Sequence, residues 1–196
     1  MASPAASPTQ FYAADGDGLA PATNLSVRLT QPATLSWVVV DRNNNVVRTN
    51  LTGAATAAGT QTWRWDGKNA AGAYVPDGTY YSLMTAATSS GTYSQRVAIN
   101  VMAFRLVPAL SGPFVRGTKV KFSVFSAETL AAKPKVRVTM PGLAPKTYGT
   151  SNLAGGGFVV TITFPVTASA GTAQFVVTGT DTGAGVQSSS FSYQLN

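Results

Sequence analysis

Two aspartates spaced two residues apart, Asp15 and Asp17 in the run Asp-Gly-Asp-Gly, are the nearest approach to a metal-binding motif in this sequence. Such a pair places two carboxylate oxygens close together, and oxygens of this kind are the ligands that Ca²⁺ prefers. The run does not continue as an EF-hand loop, because Leu19, Pro21 and Ser26 occupy the fifth, seventh and twelfth positions. The pair therefore predicts either a Ca²⁺ site completed by backbone carbonyls or a turn closed by the two side chains.

Lysine and arginine are concentrated in the second half of the chain. Residues 1–104 contain six Lys or Arg against five Asp, whereas residues 105–196 contain eight against Glu128 and Asp181. Alternation with apolar residues places four of these cations outward on two strands, at Lys119, Lys121, Lys135 and Arg137. If the strands share a sheet, the four cations form one basic surface suited to teichoic acid, lipopolysaccharide or the nucleic acid of a capsid. If they lie in different sheets, the charge is divided and serves solubility and edge protection.

Aromatic side chains offer a third kind of chemistry, the stacking of rings on sugars. Trp63 and Trp65 lie two residues apart, so they point to one side of a strand and Arg64 points to the other. Burial in a core is the favoured interpretation of this pair, because large aromatic side chains are strongly stabilised by it. A carbohydrate-binding surface would instead use exposed tyrosines, for which the candidates are Tyr74, Tyr81, Tyr93 and Tyr148.

The composition excludes several catalytic mechanisms. The 196 residues include no Cys, no His and only seven Asp or Glu. A thiol nucleophile, a histidine general base, a Cys–His zinc site and a disulfide framework are therefore all excluded. Most of the seven carboxylates fall in turn contexts. The sequence predicts a protein that is not an enzyme and has no cofactor, except for a Ca²⁺ ion if Asp15 and Asp17 form a metal site.

Short strands with alternating apolar residues must position all of these side chains. Charged residues make up 11% of the chain, against 19 Gly and 11 Pro, which disfavours extensive helix. Alternation such as Leu25, Val27 and Leu29 recurs every roughly 8 to 20 residues between Gly, Pro and Asn turns. This pattern is typical of antiparallel sandwiches. The predicted fold class is all-β, with two tandem Ig-like antiparallel β-sandwiches.

The predicted organisation has three parts: a flexible Pro/Ser/Ala lead at residues 1–12, a first sandwich at 13–104 and a second, basic sandwich at 105–196. The boundary lies where one set of strands ends and Val107-Pro108 starts another. No run approaches the roughly 20 apolar residues of a membrane-spanning helix. The start lacks the basic and apolar regions of a signal peptide. We therefore expect either a secreted fragment or a protein that leaves the cell within a virion.

Four motifs of the first half form one recognisable set, and they lie at Asp15–Gly18, Gln31–Asp41, Val46–Thr49 and Trp65–Tyr80. Together they resemble the Ig-like domain of the flagellar hook-capping protein family, a module that recurs in secreted bacterial proteins. The resemblance extends from Asp15 to about Ala103 and implies a sandwich with inward-facing tryptophans. The other segments of the hook-capping protein are not recognisable here, so the resemblance implies the module's fold and not a role in flagellar assembly. Residues 106–196 are only generically similar to a bacterial Ig-like domain.

The predicted function follows from this fold and composition. We expect a non-enzymatic extracellular or cell-surface protein with a structural or adhesive role, either as a subunit of a surface assembly or as the terminal modules of a larger secreted protein. Its expected partners are further copies of itself, a larger surface or virion assembly, or an anionic polysaccharide. Sequence-specific recognition of nucleic acid is not expected. Two alternatives stay open: a virion decoration or tail protein, and a carbohydrate-binding accessory module.

Overall fold

The computed structural model of this protein describes residues 3–196, whose regular elements are β-strands. None of these residues forms a helix of the length and hydropathy needed to cross a membrane. The chain divides into two compact units, of which the first ends at Met102 and the second comprises Ala103–Asn196. The division lies within a few residues of the predicted boundary. The prediction of an all-β chain built from antiparallel sandwiches is confirmed.

Among residues 3–102, the first unit contains eight strands. In chain order they are β1 (Ala5–Ser7), β2 (Gln10–Phe11), β3 (Thr23–Leu29), β4 (Ala33–Val40), β5 (Val46–Thr56), β6 (Gly59–Trp65), β7 (Gly78–Thr88) and β8 (Gly91–Val101). One sheet has the order β1-β3-β6 and the other the order β2-β8-β7-β4-β5. All pairs are antiparallel except β2 with β8.

The core of the first unit follows from the alternation of apolar residues. On β3, Leu25, Val27 and Leu29 are buried, while Asn24 and Arg28 on the other side of the strand are exposed. The inward side chains of the facing sheet complete one cluster with them. Because the period of a strand is two residues, a shift of one residue in register would turn the whole apolar set outward. The sequence pattern therefore specifies both the strand and the side that it buries.

The prediction of a flexible lead at residues 1–12 is wrong for Ala5–Ser7 and Gln10–Phe11, which form strands. β1 pairs antiparallel with β3, and β2 pairs parallel with β8. Phe11 is fully buried, and its ring contacts Trp65 edge to face at 5.7 Å between centroids. Burial of this side chain offsets the entropy lost when the Pro- and Ser-rich backbone is ordered. Met1 and Ala2 lie outside the described residues.

The second unit also contains eight strands. They are β9 (Phe104–Pro108), β10 (Lys119–Ser126), β11 (Lys135–Thr139), β12 (Lys146–Gly149), β13 (Ser151–Asn152), β14 (Phe158–Thr163), β15 (Gly171–Thr180) and β16 (Val186–Leu195). The order β13-β14-β10-β9 forms one sheet, called the β10 sheet below, and the order β12-β11-β15-β16 forms the β11 sheet. Phenylalanines from both sheets pack against each other between the sheets. The ring centroids of Phe122 on β10 and Phe175 on β15 are 5.2 Å apart.

Candidate functional site

The aspartate pair predicted to bind metal closes a turn at the entry to the first unit. Asp15 Oδ1 accepts a hydrogen bond from the backbone N–H of Asp17 at 3.4 Å, and Asp17 Oδ1 accepts one from Leu19 at 2.7 Å. One carboxylate oxygen of each residue lies within 4.8 Å of the other. The turn interpretation is therefore realised, because both side chains bond the backbone two residues ahead. Carboxylate oxygens are also among the ligands that Ca²⁺ prefers. The Ca²⁺ site stays a prediction.

Three further aspartates close turns in the same way. Asp41 Oδ1 accepts the N–H groups of Asn43 and Asn45 at 2.8 and 2.9 Å, and Asp66 Oδ1 accepts that of Lys68 at 3.2 Å. Asp181 does so within the second unit, as described next. Hydrogen bonds from Asn45, first from its side chain and then from its backbone, lower the pKa of Asp41 below its usual value. Five of the seven carboxylates of this chain are thus held by turn geometry.

A buried acidic cluster in the second unit was not predicted from the sequence. Glu128, Asp181 and Gln187 are all buried, and their side chains meet between the segment after β10 and the β15–β16 turn. The Gln187 amide donates from Nε2 to Asp181 Oδ2 at 3.0 Å and also to Glu128 Oε2. Asp181 Oδ1 accepts the N–H groups of Gly183 and Gly185 at 2.7 and 3.0 Å. One amide therefore joins two carboxylates, and the arrangement fastens two connecting segments together.

The sequence offered a weak signal for this cluster. Glu128 is the only glutamate of the chain and follows the strand-like run that ends at Ser126. Gln187 is an inward position on β16, where alternation alone predicts an apolar residue. A polar residue at a core position indicates a buried partner, because an unsatisfied amide in a core is costly. The identity of that partner depends on a contact between residues 59 apart, which no local pattern contains.

The four predicted surface cations are exposed but do not form one surface. Lys119 and Lys121 lie on β10, and Lys135 and Arg137 lie on β11. The two strands belong to different sheets of the sandwich. Their inward neighbours, such as Phe122 and Val136, are fully buried, so the cations point away from the core on opposite sides. The single basic surface, one of the two outcomes expected from the sequence, is thus corrected to two separate groups.

The predicted aromatic candidates divide between the core and cation contacts. Trp65 is buried, and Trp63 is half-buried with its ring edge to face against Trp37 at 5.8 Å. The two tryptophans therefore pack inward. Of the four tyrosines, three have a cation over the ring: Lys68 at 4.8 Å from Tyr74, Arg96 at 4.5 Å from Tyr81, and Lys146 at 5.1 Å from Tyr148. A cation in this position covers one face on which a sugar would stack.

Tyr93 is the fourth candidate, and it lies beside a cleft. Its side chain is 50% exposed. The cleft, at one end of the first unit, has a volume of about 220 Å³ and is lined by side chains that include Thr30, Gln31, Thr88 and Ser90. A second cleft of about 240 Å³ in the other unit is mainly apolar, with Tyr148 in its wall. Burial raises the pKa of Tyr148 above its usual value. Neither cleft is lined by a carboxylate side chain.

Two solved structures are similar to this chain at low sequence identity. No curated protein matches the chain. A crystal structure of a tetra-tandem repeat in the extending region of a large adhesion protein has 16% identity and a TM-score of 0.37, covering 99% of this chain and 48% of that one. A crystal structure of YadV chaperone has 10% identity and a TM-score of 0.34, covering 97% of this chain and 100% of that one. The chain spans about half the length of the adhesion-protein repeat structure.

A family model identifies the first unit more specifically. The model described as the FlgD Ig-like domain matches residues 14–92. These residues contain the four motifs from which the resemblance to the hook-capping protein was predicted, from Asp15–Gly18 through Trp65–Tyr80. The motifs also fall where the structure places turns and strand entries, such as the Asp66 turn after β6. The resemblance is therefore confirmed for residues 14–92, which match the model of the FlgD Ig-like domain.

Proposed function

We propose that this chain is a non-enzymatic β-sandwich protein with a structural or adhesive role outside the cytoplasm. It would act as a subunit of a surface assembly or as the terminal modules of a larger secreted protein. One observation carries the proposal: five of the seven carboxylates accept a hydrogen bond from the backbone N–H two residues ahead. These are Asp15, Asp17, Asp41, Asp66 and Asp181.

This use of carboxylates supports a structural role over a catalytic one. A side chain bonded to its own turn is fixed in position and lowers the freedom of the loop that it closes. An acid or base in catalysis must instead face a substrate within hydrogen-bond reach. Since the chain contains no His and no Cys, the carboxylates are also its main candidates for such chemistry. Their placement favours rigid loops that present a surface to a partner.

The edge strand β5 has features that limit uncontrolled pairing with strands of other molecules. β5 is eleven residues long and forms one edge of its sheet. Its register with β4 shifts at three points, and Gly53 has a positive φ of 57° there. Irregularities of this kind twist an edge and oppose uncontrolled strand pairing. A surface subunit needs this protection because neighbouring copies are held at high local concentration.

Cell fractionation tests the proposed location. An epitope-tagged version expressed from its own gene is expected in the surface or medium fraction, together with a partner that chemical cross-linking joins to it. Recovery in virus particles would support the virion alternative in place of the cell-surface role. Recovery in the cytosol alone, with no cross-linked partner, would overturn the proposal.

A further inference from the structure

The surface of the second unit carries cations without exposed carboxylate side chains. Its two acids, Glu128 and Asp181, have only 7% and 0% of their side chains exposed. All eight of its basic residues are exposed: Arg105, Arg116, Lys119, Lys121, Lys133, Lys135, Arg137 and Lys146. An anionic partner would meet no side-chain repulsion on this unit. A surface with one sign of charge concentrates oppositely charged polymers and speeds their association.

One group of cations lies on the outer side of the β10 sheet. We call Arg105, Lys119 and Lys121 the first cationic face. Lys119 and Lys121 are neighbours on that side of β10, roughly 6.6 Å apart along the strand. Their partners on β14 are Thr163 and Thr161, so hydroxyl groups flank the two ammonium groups.

A second group lies on the outer side of the β11 sheet. Lys135 and Arg137 form what we call the second cationic face. Lys135 is opposite Thr178 of β15, and Arg137 is opposite Thr147 of β12. The next strand, β16, adds Ser188 beside Thr178. This face is therefore rich in hydroxyl groups.

The two cationic faces point away from each other because the phenylalanine core separates the sheets. Packed sheets lie roughly 10 Å apart, so a polymer on one face cannot contact the other without passing around an edge. We propose that the second unit binds anionic polysaccharide through both faces and thereby joins two polymer chains. This inference rests on the second unit alone and does not depend on the proposed location or structural role.

Anionic polysaccharide fits these faces better than nucleic acid. Proteins that hold single strands without sequence preference stack bases on exposed aromatic rings. Phe125, the aromatic residue beside the first cationic face, has the Arg105 guanidinium over its ring at 4.5 Å. Hydroxyl groups next to cations instead match the alternating hydroxyl and acidic groups of an acidic sugar polymer.

The test uses the full chain with dextran sulfate as the polyanion and unmodified dextran as the uncharged control. Affinity is measured at several salt concentrations, and cross-linking is measured by light scattering. Three variants are compared: Lys119→Gln with Lys121→Gln, Lys135→Gln with Arg137→Gln, and all four together. Arg28→Gln with Arg64→Gln is the matched control, since it removes two exposed cations from the first unit and gives the same net charge as either double variant.

Each double variant should retain binding but lose the light-scattering increase, because one face still holds a chain. The negative slope of log K, the binding constant, against log salt concentration should become shallower by about 1 to 2 for each pair of cations removed, because fewer counterions are released on binding. The quadruple variant should lose most binding, and the control should behave as the unmodified chain. The proposal is overturned if the control variant loses as much of the light-scattering increase as the double variants do, or if either double variant still cross-links dextran sulfate. It is also overturned if a DNA oligomer of equal charge binds more tightly than dextran sulfate.

Discussion

The two units share an architecture but place their charges differently. In the first unit, none of the five aspartates is buried, and six basic residues accompany them. In the second unit, both acids are buried and every basic residue is exposed. Alternation of apolar residues is enough to build either sandwich. The difference shows that the placement of a few carboxylates, and not the fold, determines what each surface can attract.

The two units also differ in the aromatic residues that form their cores. The first contains all three tryptophans of the chain, with Trp37 fully buried and its Nε1 donating to Ser82 Oγ at 2.7 Å. The second is built from phenylalanines, among them Phe122, together with Tyr193, whose hydroxyl donates to the Leu106 carbonyl at 3.0 Å. Each unit therefore has its own core, and tryptophan fluorescence reports only on the first.

The largest predicted effect separates these two cores. Trp37→Ala removes a fully buried side chain from the first unit, and Phe122→Ala does so in the second. Each substitution should lower the free energy of unfolding of its own unit by about 3 to 5 kcal/mol, through lost burial and a residual cavity. Chemical denaturation followed by far-UV circular dichroism and by tryptophan fluorescence distinguishes them. Phe122→Ala should shift the circular dichroism transition and leave the fluorescence transition of the first unit in place.

The matched comparison is between the two variants themselves. A fluorescence transition that moves equally in Phe122→Ala would show that the units unfold together. The contrast between two separate cores would then be wrong.

The fold was predictable because its determinants are local. The alternation of Leu25, Val27 and Leu29 specifies the buried side of β3 without reference to any other strand. The Asp turns were equally visible, because the donor N–H lies two residues ahead in the same segment. The N-terminal strands were missed because β1 and β2 are only three and two residues long. Their order comes from partners far along the chain.

The candidate surfaces were only partly predictable for a related reason. The exposure of Lys119 and Lys135 follows from alternation within each strand. Whether β10 and β11 share a sheet depends on pairing with β14 and β15, which strand periodicity does not specify. The Glu128–Gln187 contact likewise depends on tertiary structure. Local patterns therefore indicate which side a residue takes, and the topology determines which residues become neighbours.

The next largest effect tests the buried acids of the second unit. Gln187→Leu removes the amide that donates to both Asp181 and Glu128. Loss of the donor from buried carboxylates should lower the free energy of unfolding by about 1 to 3 kcal/mol. Gln174→Leu is the control, since Gln174 is an exposed glutamine on β15 of the same sheet. Denaturation followed by circular dichroism measures both variants. Equal stability losses would contradict a structural role for the buried cluster.

A tight turn beside the cluster gives a related prediction. A Cβ added at Gly185 would lie 2.3 Å from Asp181 Oδ2, which is closer than atoms can pack. Gly185→Ala should therefore displace the carboxylate or the turn and cost about 1 to 3 kcal/mol, as overpacking does elsewhere. Gly149→Ala serves as the control, because open space surrounds its Cβ position. The interpretation is wrong if Gly185→Ala lowers the midpoint temperature of thermal unfolding no further than Gly149→Ala does.

The smallest effect concerns an aspartate turn of the first unit and sharpens the contrast with the buried acids. The pKa of Asp41 is lowered from its ordinary value of 3.8, chiefly by hydrogen bonds from Asn45. A carboxyl group whose pKa is lower when folded contributes stability that is fully present above its unfolded pKa and is lost as the pH falls through the folded value. Fluorescence-monitored denaturation between pH 5 and about pH 2.5 should therefore show a shallower loss of stability in Asp41→Asn than in the unmodified chain. Asn45→Ala should reduce the same acid-dependent component, because it removes the side-chain donor that is the largest cause of the shift. Parallel stability curves for all three proteins would show that this turn does not contribute to the acid response of the first unit.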